Sequence, residues 1–411
     1  MDLSSQSAER VAIGPSGEGK KMKESWPLPP RPVRQFVIKV HSRCNLTCDY
    51  CYVYTMADQG WRTRPKVLSD ELVDITAGRI AEHAHRHGLP EIRVVLHGGE
   101  PMLAGTAALV RCVRTVRAAL GSRVHALMTV QTNGTLLTER RVRSLAEAGV
   151  RVGVSLDGLP QSQDRRRDRR GRSSHALVVD RLRIFREPDL RPYFAGILAT
   201  IDLAADAVAT YEALIAHEPP MIDFLLPHGN WTTPPPRRPP LSPATPYGDW
   251  LIAAFDRWYG APVRETGVRM FEEIIHGLFG GTPRVEGLGL APLGMAVVET
   301  DGSIELSDTL KSTYPGAAAT GLDVRSHSFD DLLELPDVRA QQLGKHGLPE
   351  ACVPCDVARV CGGGLRAHRY QAGTGFANPS VYSRDLGALI RHIRTTLRRD
   401  VAALRTAGAA R

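Results

Sequence analysis

Short β-branched runs alternate with amphipathic helical stretches through the first half of the chain. Strands that alternate with helices, each pair spanning about 30 residues, are typical of parallel βα units. The pattern predicts an α/β fold, either a doubly wound sheet or a partial (β/α)6 barrel. The predicted strands cover residues 35–40, 92–98, 124–131, 150–158, 192–201 and 221–227, and the helices between them cover 69–87, 104–120, 137–148, 174–186 and 205–217.

Candidate motifs follow four of the predicted strands, which favours the barrel over the doubly wound sheet. Cysteines follow the first strand, HGGE lies at the second, QTNG at the third and SLDG at the fourth. In parallel barrels, functional residues collect at the carboxyl ends of the strands. We therefore expect a partial, open (β/α)6 barrel of the TIM type, with its chemistry at that edge.

Four segments are predicted along the 411 residues. They are a flexible tail at 1–33, rich in Ser, Gly, Pro and Lys; the barrel at 34–229; a proline-rich linker with bridging helices at 230–290; and a C-terminal domain at 291–411. Within the last segment, Asp301 and Gly302 predict the turn of a hairpin over residues 295–306. A final helix is predicted over 384–407.

Composition argues against membrane and nucleic-acid roles. No uninterrupted apolar run reaches the roughly 18–20 residues of a membrane span, and the N-terminus lacks a secretory apolar segment, so a cytoplasmic location is expected. The net charge of +8 is concentrated near the C-terminus and in an arginine run at 164–172. With aromatic residues at only 6% and no known nucleic-acid module, the run is interpreted as a solvated loop.

Six of the seven cysteines fall into two tight clusters, which favours metal binding over disulfides in a chain without an export signal. The first cluster, Cys44, Cys48 and Cys51, offers three thiolates from one loop. Structural zinc normally takes four ligands, whereas three thiolates suit a [4Fe–4S] cluster with one open iron. His41 could complete a Cys3His zinc site, so zinc remains the alternative. The lone Cys112 is expected to be a small buried hydrophobe.

The segment VHSRCNLTCDYCYVY, residues 40–54, resembles the cluster loop of the radical S-adenosylmethionine (SAM) superfamily. The resemblance implies that Cys44, Cys48 and Cys51 hold a [4Fe–4S] cluster whose open iron binds the amino and carboxylate groups of SAM. One electron, from a flavodoxin or ferredoxin type of donor, then cleaves SAM to a 5′-deoxyadenosyl radical. That radical removes a hydrogen atom from the substrate, and the protein supplies placement and shielding.

The same resemblance implies a SAM site at the strand ends. Gly98, Gly99 and Glu100 resemble the motif that holds the methionine ammonium; glycines permit close approach, and a carboxylate suits an ammonium. Ser155 is expected near the SAM carboxylate, with Arg167 as its salt-bridge partner. The remaining expected contacts are Tyr50 beside the adenine, with Gln131, Thr132, Asn133 and Asp157 in the strand-end loops.

The second cluster, Cys352, Cys355 and Cys361, resembles the SPASM extension of peptide-modifying radical SAM enzymes, which carries auxiliary iron–sulfur clusters. Ser383 stands where the family pattern places a further cysteine. A single auxiliary cluster on three cysteines is expected. A ligand from Ser383 or His368, a zinc ion and an empty site remain alternatives.

Several segments, among them LHGGEPMLAG, LPHGNWTTPPPR and VCGGGLRAHRYQAGTGFANPSVY, resemble FxsB-type radical SAM/SPASM peptide maturases in their order along the chain. This implies a ribosomally made precursor peptide as partner, and a crosslink from an aromatic ring carbon to a side-chain β-carbon that forms a three-residue cyclophane. Glu299, Asp301 and Asp308 are candidates for the base. Sulfatase maturation, thioether formation and a non-catalytic peptide-binding role are the alternatives.

Overall fold

The computed structural model of the protein describes residues 29–238, 242–283, 285–292 and 294–409, so the tail expected at 1–33 lies almost wholly outside them. The strands of the described residues are β1 Gln35–His41, β2 Leu46–Cys48, β3 Glu91–Gly98, β4 His125–Thr132, β5 Val150–Ser155, β6 Arg166–Asp168, β7 Phe194–Thr200, β8 Met221–Leu225, β9 Gly267–Val268, β10 Met295–Val298, β11 Ser303–Glu305 and β12 Ala319–Asp323. The α-helices are α1 Asp70–Arg86, α2 Thr106–Leu120, α3 Glu139–Glu147, α4 Pro160–Gln163, α5 His175–Leu182, α6 Ala207–Ile215, α7 Pro246–Tyr259, α8 Arg269–Leu278, α9 Phe329–Leu333, α10 Pro336–Gln341, α11 Ala358–Cys361 and α12 Ser383–Ala409.

The predicted α/β barrel is confirmed. Strands β1, β3, β4, β5, β7 and β8 are parallel neighbours in that order, and α1, α2, α3, α5 and α6 connect them. Strand β1 is almost continuously buried, as a parallel strand with both faces covered must be. Helix α1 begins where the Ser69 side chain accepts a hydrogen bond from the Leu72 amide at 3.2 Å.

The sheet is wider than the six barrel strands that the sequence predicts. Strand β10 pairs in parallel with β1, and β9 pairs with β8, so that one ten-stranded sheet runs β12-β11-β10-β1-β3-β4-β5-β7-β8-β9. The open edges of a partial barrel carry unpaired backbone groups, and these added strands satisfy them. With two residues, β9 is too short for its periodicity to identify it. Strand β10 lies in the predicted hairpin, but its pairing with β1 is not predicted.

The elements after the barrel largely follow the prediction. Strands β10 and β11 form the expected antiparallel hairpin, and Gly302 in its turn has a positive φ of 92°. The bridging helices expected within 230–290 are α7 and α8, and Gly260 and Pro262 end α7 before β9 and α8 begin. Among the described helices, none combines the length and the apolar character that crossing a membrane requires.

Buried polar contacts join the C-terminal residues to the linker, to α7 and to the end of β8. Asp385, near the start of α12, accepts hydrogen bonds from the amides of Tyr247 and Gly248, both at 3.0 Å, and forms an ion pair with Arg238 at 2.6 Å. The Tyr382 hydroxyl donates to the carbonyl that follows β8, at Pro227, over 2.7 Å. The extension therefore lies against the carboxyl ends of the barrel strands.

Candidate active site

Two glycines fix the first cysteine loop against the end of β3. The amide of Gly99 donates to the His41 carbonyl at 2.8 Å, and the amide of Glu100 donates to the Arg43 carbonyl at 3.0 Å. A Cβ atom on Gly98 would overlap the His41 carbonyl oxygen, and one on Gly99 would overlap the Tyr54 hydroxyl. Only glycine permits this approach of the two backbones.

Glu100 joins the end of β3 to the end of β4. Its buried carboxylate accepts hydrogen bonds from the Met102 amide at 2.9 Å, the Thr132 hydroxyl at 2.7 Å and the Asn133 amide at 2.7 Å. Burial raises the pKa of Glu100, while these donors oppose the rise. The observed partners of this carboxylate are protein groups, so its expected contact with the SAM ammonium stays a prediction.

The three cysteines of the first loop are half-buried. The Leu46 amide donates to the Cys44 sulfur at 3.4 Å, and the Asn133 side-chain amide donates to the same atom at 3.6 Å. Burial raises the pKa of Cys44 and that of Cys48 to about 11. Because iron binds thiolates, cluster assembly at these residues must displace their protons.

The donor set of this loop bears on the two metals that the sequence leaves open. Cys44, Cys48 and Cys51 supply three thiols, whereas a structural zinc ion normally takes four ligands. The Nδ1 atom of His41 lies 3.0 Å from the Arg43 carbonyl oxygen, which leaves Nε2 as the ring nitrogen that could bind a metal. Three thiols fit a [4Fe–4S] cluster with one open iron, and on the donor set alone the Cys3His zinc site stays the alternative.

Tyr50, Asp157 and Arg166 form a buried polar group beside the cysteine loop. The Tyr50 hydroxyl donates to the Asp157 carboxylate, and Arg166 Nη1 lies 3.3 Å from that hydroxyl and 3.7 Å from Asp157 Oδ1. The buried Nε atom of Arg166 has no hydrogen-bond partner in the described part of the chain. An unpaired guanidinium donor of this kind fits an anionic group such as the SAM carboxylate.

The structure does not bring Arg167 into this group. Its side chain is 49% exposed and lies 3.8 Å from Asp164, whereas the Arg166 side chain is 8% exposed. Because side chains alternate along a strand, β6 directs Arg166 inward and Arg167 outward. Arg166 rather than Arg167 therefore faces the buried group, and the expected SAM contact stays a prediction that the structure favours for Arg166. Because the run repeats arginine, the sequence does not show this alternation.

The other strand-end residues converge as expected. The Gln131 side-chain amide donates to the Ser155 hydroxyl at 3.0 Å, linking the ends of β4 and β5. Asn133 contacts Cys44, as described above, and Thr132 is bonded to Glu100. The predicted SAM-site residues other than Arg167 thus lie at one edge of the barrel, and their contacts with SAM stay predictions.

The base candidates Glu299 and Asp308 belong to a buried ionic cluster that the sequence did not reveal. Lys311 contacts Glu299 and lies 2.9 Å from Glu305 Oε2 and 3.1 Å from Asp308 Oδ1. The three cations of the cluster balance its three carboxylates. Its members are Lys39, Arg64, Glu299, Glu305, Asp308 and Lys311, with side chains 3% to 13% exposed.

Ion pairing limits Asp308 as a proton acceptor, and a second acidic residue lies beside it. Burial alone would raise the pKa of Asp308, but the ammonium groups of Lys311 and Lys39 hold it well below its usual range. Glu286, which the sequence analysis missed, accepts a hydrogen bond from the Ser307 hydroxyl at 2.9 Å. The Glu286 side chain is exposed, and desolvation by the surrounding protein raises its pKa to about 7. A single glutamate in a glycine-rich loop has no motif by which sequence could identify it.

The third base candidate, Asp301, lies in the hairpin turn, 3.3 Å from Arg64.

The second cysteine cluster is gathered at a glycine turn. Cys352 and Cys361 are buried and Cys355 is half-buried, and burial raises the pKa of Cys361 to about 11. The Arg369 guanidinium donates to the carbonyls of the three following glycines, at 2.6 Å, 2.9 Å and 3.0 Å. Gly362 has a φ of +65°, and a Cβ there would overlap the Gly289 carbonyl oxygen. This turn requires glycine directly after Cys361.

Two histidines lie between the two cysteine clusters. The ring of His228, after β8, lies 4.6 Å from that of Tyr52 and 5.8 Å from that of His368, which packs on Tyr382 at 4.9 Å. Burial lowers the pKa of His228 to about 4 and that of His368 well below its usual value, so both rings are neutral. Ser383 opens α12, and its expected role as a ligand stays a prediction.

Residues 38–203 match the profile of the Radical SAM superfamily. The matched residues run from β1 to the loop after β7. The protein is a radical SAM enzyme, and its cofactors are a [4Fe–4S] cluster and SAM. The three thiols of Cys44, Cys48 and Cys51 and the unpaired Arg166 donor fit these cofactors.

Among curated proteins, this radical SAM enzyme is 25% identical over 351 residues to a serine-type anaerobic sulfatase-maturating enzyme from Klebsiella aerogenes, covering 84% of this chain and 83% of that one. It is 36% identical over 133 residues to a GTP 3',8-cyclase from Parasynechococcus marenigrum, covering 31% of this chain and 35% of that one.

Two solved structures are similar to this radical SAM enzyme over most of its length. Native anSMEcpe with bound AdoMet superposes with a TM-score of 0.75 at 21% identity, covering 89% of this chain and 98% of that one. Streptococcus suis SuiB bound to the precursor peptide SuiA superposes with a TM-score of 0.55 at 14% identity, covering 85% and 76%. The likeness in fold therefore extends beyond the barrel into the C-terminal extension.

Proposed function

We propose that this radical SAM enzyme modifies a ribosomally made precursor peptide, joining an aromatic ring carbon to a side-chain β-carbon as a three-residue cyclophane. The resemblance of the ordered motifs to FxsB-type maturases supports the crosslink. Peptide-bound structural neighbours such as SuiB with SuiA support the substrate class.

One observation carries the proposal: side chains of the cysteine loop, the end of the barrel and the extension lie side by side. Tyr52, directly after Cys51, contacts the His228 ring after β8, whose centroid lies 5.8 Å from that of His368 in the extension. The charges of Asp308 and Glu286 act on the Tyr52 hydroxyl. Neutral imidazoles and carboxylates can bind peptide amides by hydrogen bonds. A peptide side chain in this site would lie next to the cluster ligands.

The crosslink removes two hydrogen atoms from the peptide, and different residues of the chain take part in the removal of each. When bound, the cluster and SAM supply a carbon-centred radical that takes one hydrogen atom, and an auxiliary cluster on Cys352, Cys355 and Cys361 is the proposed acceptor of the one electron released. The second hydrogen leaves as a proton. We assign its acceptance to Glu286, because Asp308 and Glu299 are already paired with cations.

The Glu286→Gln variant should form 5′-deoxyadenosine at the wild-type rate but crosslink peptide about 100-fold or more slowly, since general-base contributions of 10² to 10⁴ are typical. The wild-type crosslinking rate should rise with pH through about 7, as Glu286 loses its proton. Liquid chromatography with mass spectrometry follows both products. The Asp308→Asn variant is the matched comparison. If it stops crosslinking while Glu286→Gln does not, the base is Asp308.

Co-expression with a short neighbouring gene product that ends in Phe-x-Ser-x-x tests the function itself. The peptide should lose two hydrogens, and fragmentation should place the bond between the aromatic residue and the residue two positions on. A variant with Cys44, Cys48 and Cys51 all changed to alanine should leave its mass unchanged. An unmodified peptide with the active wild-type enzyme contradicts the proposal.

Sulfatase-type maturation is the second candidate, favoured by the similarity to the Klebsiella aerogenes enzyme over 84% of this chain. That activity oxidises a serine or cysteine side chain to an aldehyde. Incubation with a serine- or cysteine-containing sulfatase peptide, followed by a hydrazide probe, detects it. A labelled product would favour this candidate over the crosslink.

A further inference from the structure

We propose that an acidic electron-transfer protein docks on a basic surface beside Cys44 and there delivers the electron that the cluster requires. The proposal goes beyond the peptide chemistry, since it depends only on the cluster. It also gives a role to the arginine run at 164–172, which the proposed function does not use.

A surface cavity of about 600 Å³ reaches one ligand of the cluster. Cys44 lines this cavity, and the exposed Arg169 donates from Nη2 to the Cys44 carbonyl at 3.3 Å. A protein seated over the cavity would therefore contact side chains that touch the cluster loop directly, which keeps the path for an electron short.

The lining of the cavity is strongly positive. Asp168 contributes its one carboxylate, and its charge is already matched by Arg172 at 2.7 Å. Burial lowers the pKa of His41, so that ring adds no positive charge near neutral pH. The cations that line the cavity are Arg43, Lys66, Arg169, Arg170 and Arg172. We call the exposed members Lys66, Arg169, Arg170 and Arg172 the basic face.

The basic face is held rigidly to the cluster loop. Strand β6 pairs antiparallel with β2, placing Cys48 opposite Arg166 and Leu46 opposite Asp168. The Asp49 amide also donates to the Arg165 carbonyl at 3.2 Å. The arginines that follow β6 therefore keep a fixed position relative to two cluster ligands, as a docking surface for electron transfer requires.

Charge and stoichiometry together indicate the partner. Each cleavage of SAM consumes one electron, so a reduced donor must lose one electron as the cluster gains one. Flavodoxin- and ferredoxin-type donors are small acidic proteins, and a patch of opposite charge accelerates and orients such an encounter. The proposed peptide site instead involves Tyr52, on the Cys51 side of the loop.

A charge-reversal pair tests the docking directly. Binding of purified oxidised flavodoxin to the reconstituted holoenzyme is measured by biolayer interferometry at low salt, where surface charges are least screened. The Lys66→Glu/Arg170→Glu variant should bind at least tenfold more weakly than wild type. The Arg114→Glu/Arg140→Glu variant makes the same change in net charge at exposed positions on α2 and α3, and it should bind within twofold of wild type.

The rate of 5′-deoxyadenosine formation distinguishes a loss of donor docking from a loss of the radical chemistry. With photoreduced flavodoxin, 5′-deoxyadenosine formation by Lys66→Glu/Arg170→Glu should fall in parallel with binding, whereas dithionite should support the wild-type rate in both variants. The proposal is overturned if Lys66→Glu/Arg170→Glu binds flavodoxin as tightly as wild type. It is also overturned if this variant loses affinity only for an acidic probe peptide such as polyglutamate and keeps its affinity for flavodoxin. A wild-type enzyme that forms no 5′-deoxyadenosine even with dithionite instead contradicts the radical chemistry itself.

Discussion

Replacing Lys311 with methionine should lower the free energy of unfolding by about 3–5 kcal/mol at pH 7, the usual effect of removing one partner from a buried ion pair. Lys311 contacts three carboxylates, those of Glu299, Glu305 and Asp308. Methionine nearly fills the same volume but leaves three buried negative charges against the two cations of Lys39 and Arg64. Urea unfolding followed by circular dichroism measures the difference.

The effect should depend on pH in a defined direction. In wild type the folded pKa of Asp308 lies below its unfolded value. Its stabilisation is therefore present above the unfolded pKa and disappears as pH falls through the folded one. In Lys311→Met the carboxylates lose a cation and their pKa values rise, so protonation at pH 5 should recover part of the loss. Lys345→Met, at an exposed lysine of the same extension, should change stability by less than about 0.5 kcal/mol. Equal losses in the two variants would contradict the balance described for the ionic cluster.

The Arg166→Met variant should bind SAM about 10- to 100-fold more weakly than wild type. Removing a charged hydrogen-bond donor from a buried anion site typically costs about 1.5–3 kcal/mol, and the Arg166 Nε atom is the unpaired donor in this group. Equilibrium dialysis with the reconstituted enzyme measures the dissociation constant.

Two further variants serve as controls for the Arg166 prediction. Arg167→Met should bind SAM within twofold of wild type, because that side chain faces solvent. In Arg166→Met the Asp157 carboxylate is buried without its cation. The double variant Asp157→Asn/Arg166→Met therefore serves as the control in which both charges are removed. The double variant should recover stability without recovering SAM affinity. Weaker SAM binding in Arg167→Met than in Arg166→Met would reverse the assignment.

The sequence predicts the barrel because its strands are long enough to show their period and each is followed by a motif. Strand β9 escapes prediction, and so does the pairing of the hairpin strand β10 with β1, since both depend on the barrel edges rather than on a pattern within the strand. Hairpin turns are local, and Asp301 with Gly302 was therefore sufficient to identify one.

Prediction of the candidate site from sequence is limited in the same way, to residues that share a local pattern. Spacing singles out Cys44, Cys48 and Cys51 as candidate ligands because one loop supplies all three. The choice between Arg166 and Arg167 depends on the register of β6 against β2, which a run of arginines does not encode. Lys311 and Glu286 gain their roles from partners that meet them only in the folded chain, such as Lys311 with Glu299 and Glu286 with Ser307.

The most direct test of the account is 5′-deoxyadenosine formation after anaerobic reconstitution with iron and sulfide, using dithionite as reductant. The wild-type enzyme and a variant with Cys352, Cys355 and Cys361 changed to alanine should both cleave SAM, since the first cluster alone performs this step. The variant with Cys44, Cys48 and Cys51 changed to alanine should yield only background 5′-deoxyadenosine. A yield from that variant equal to the wild-type yield would contradict the account.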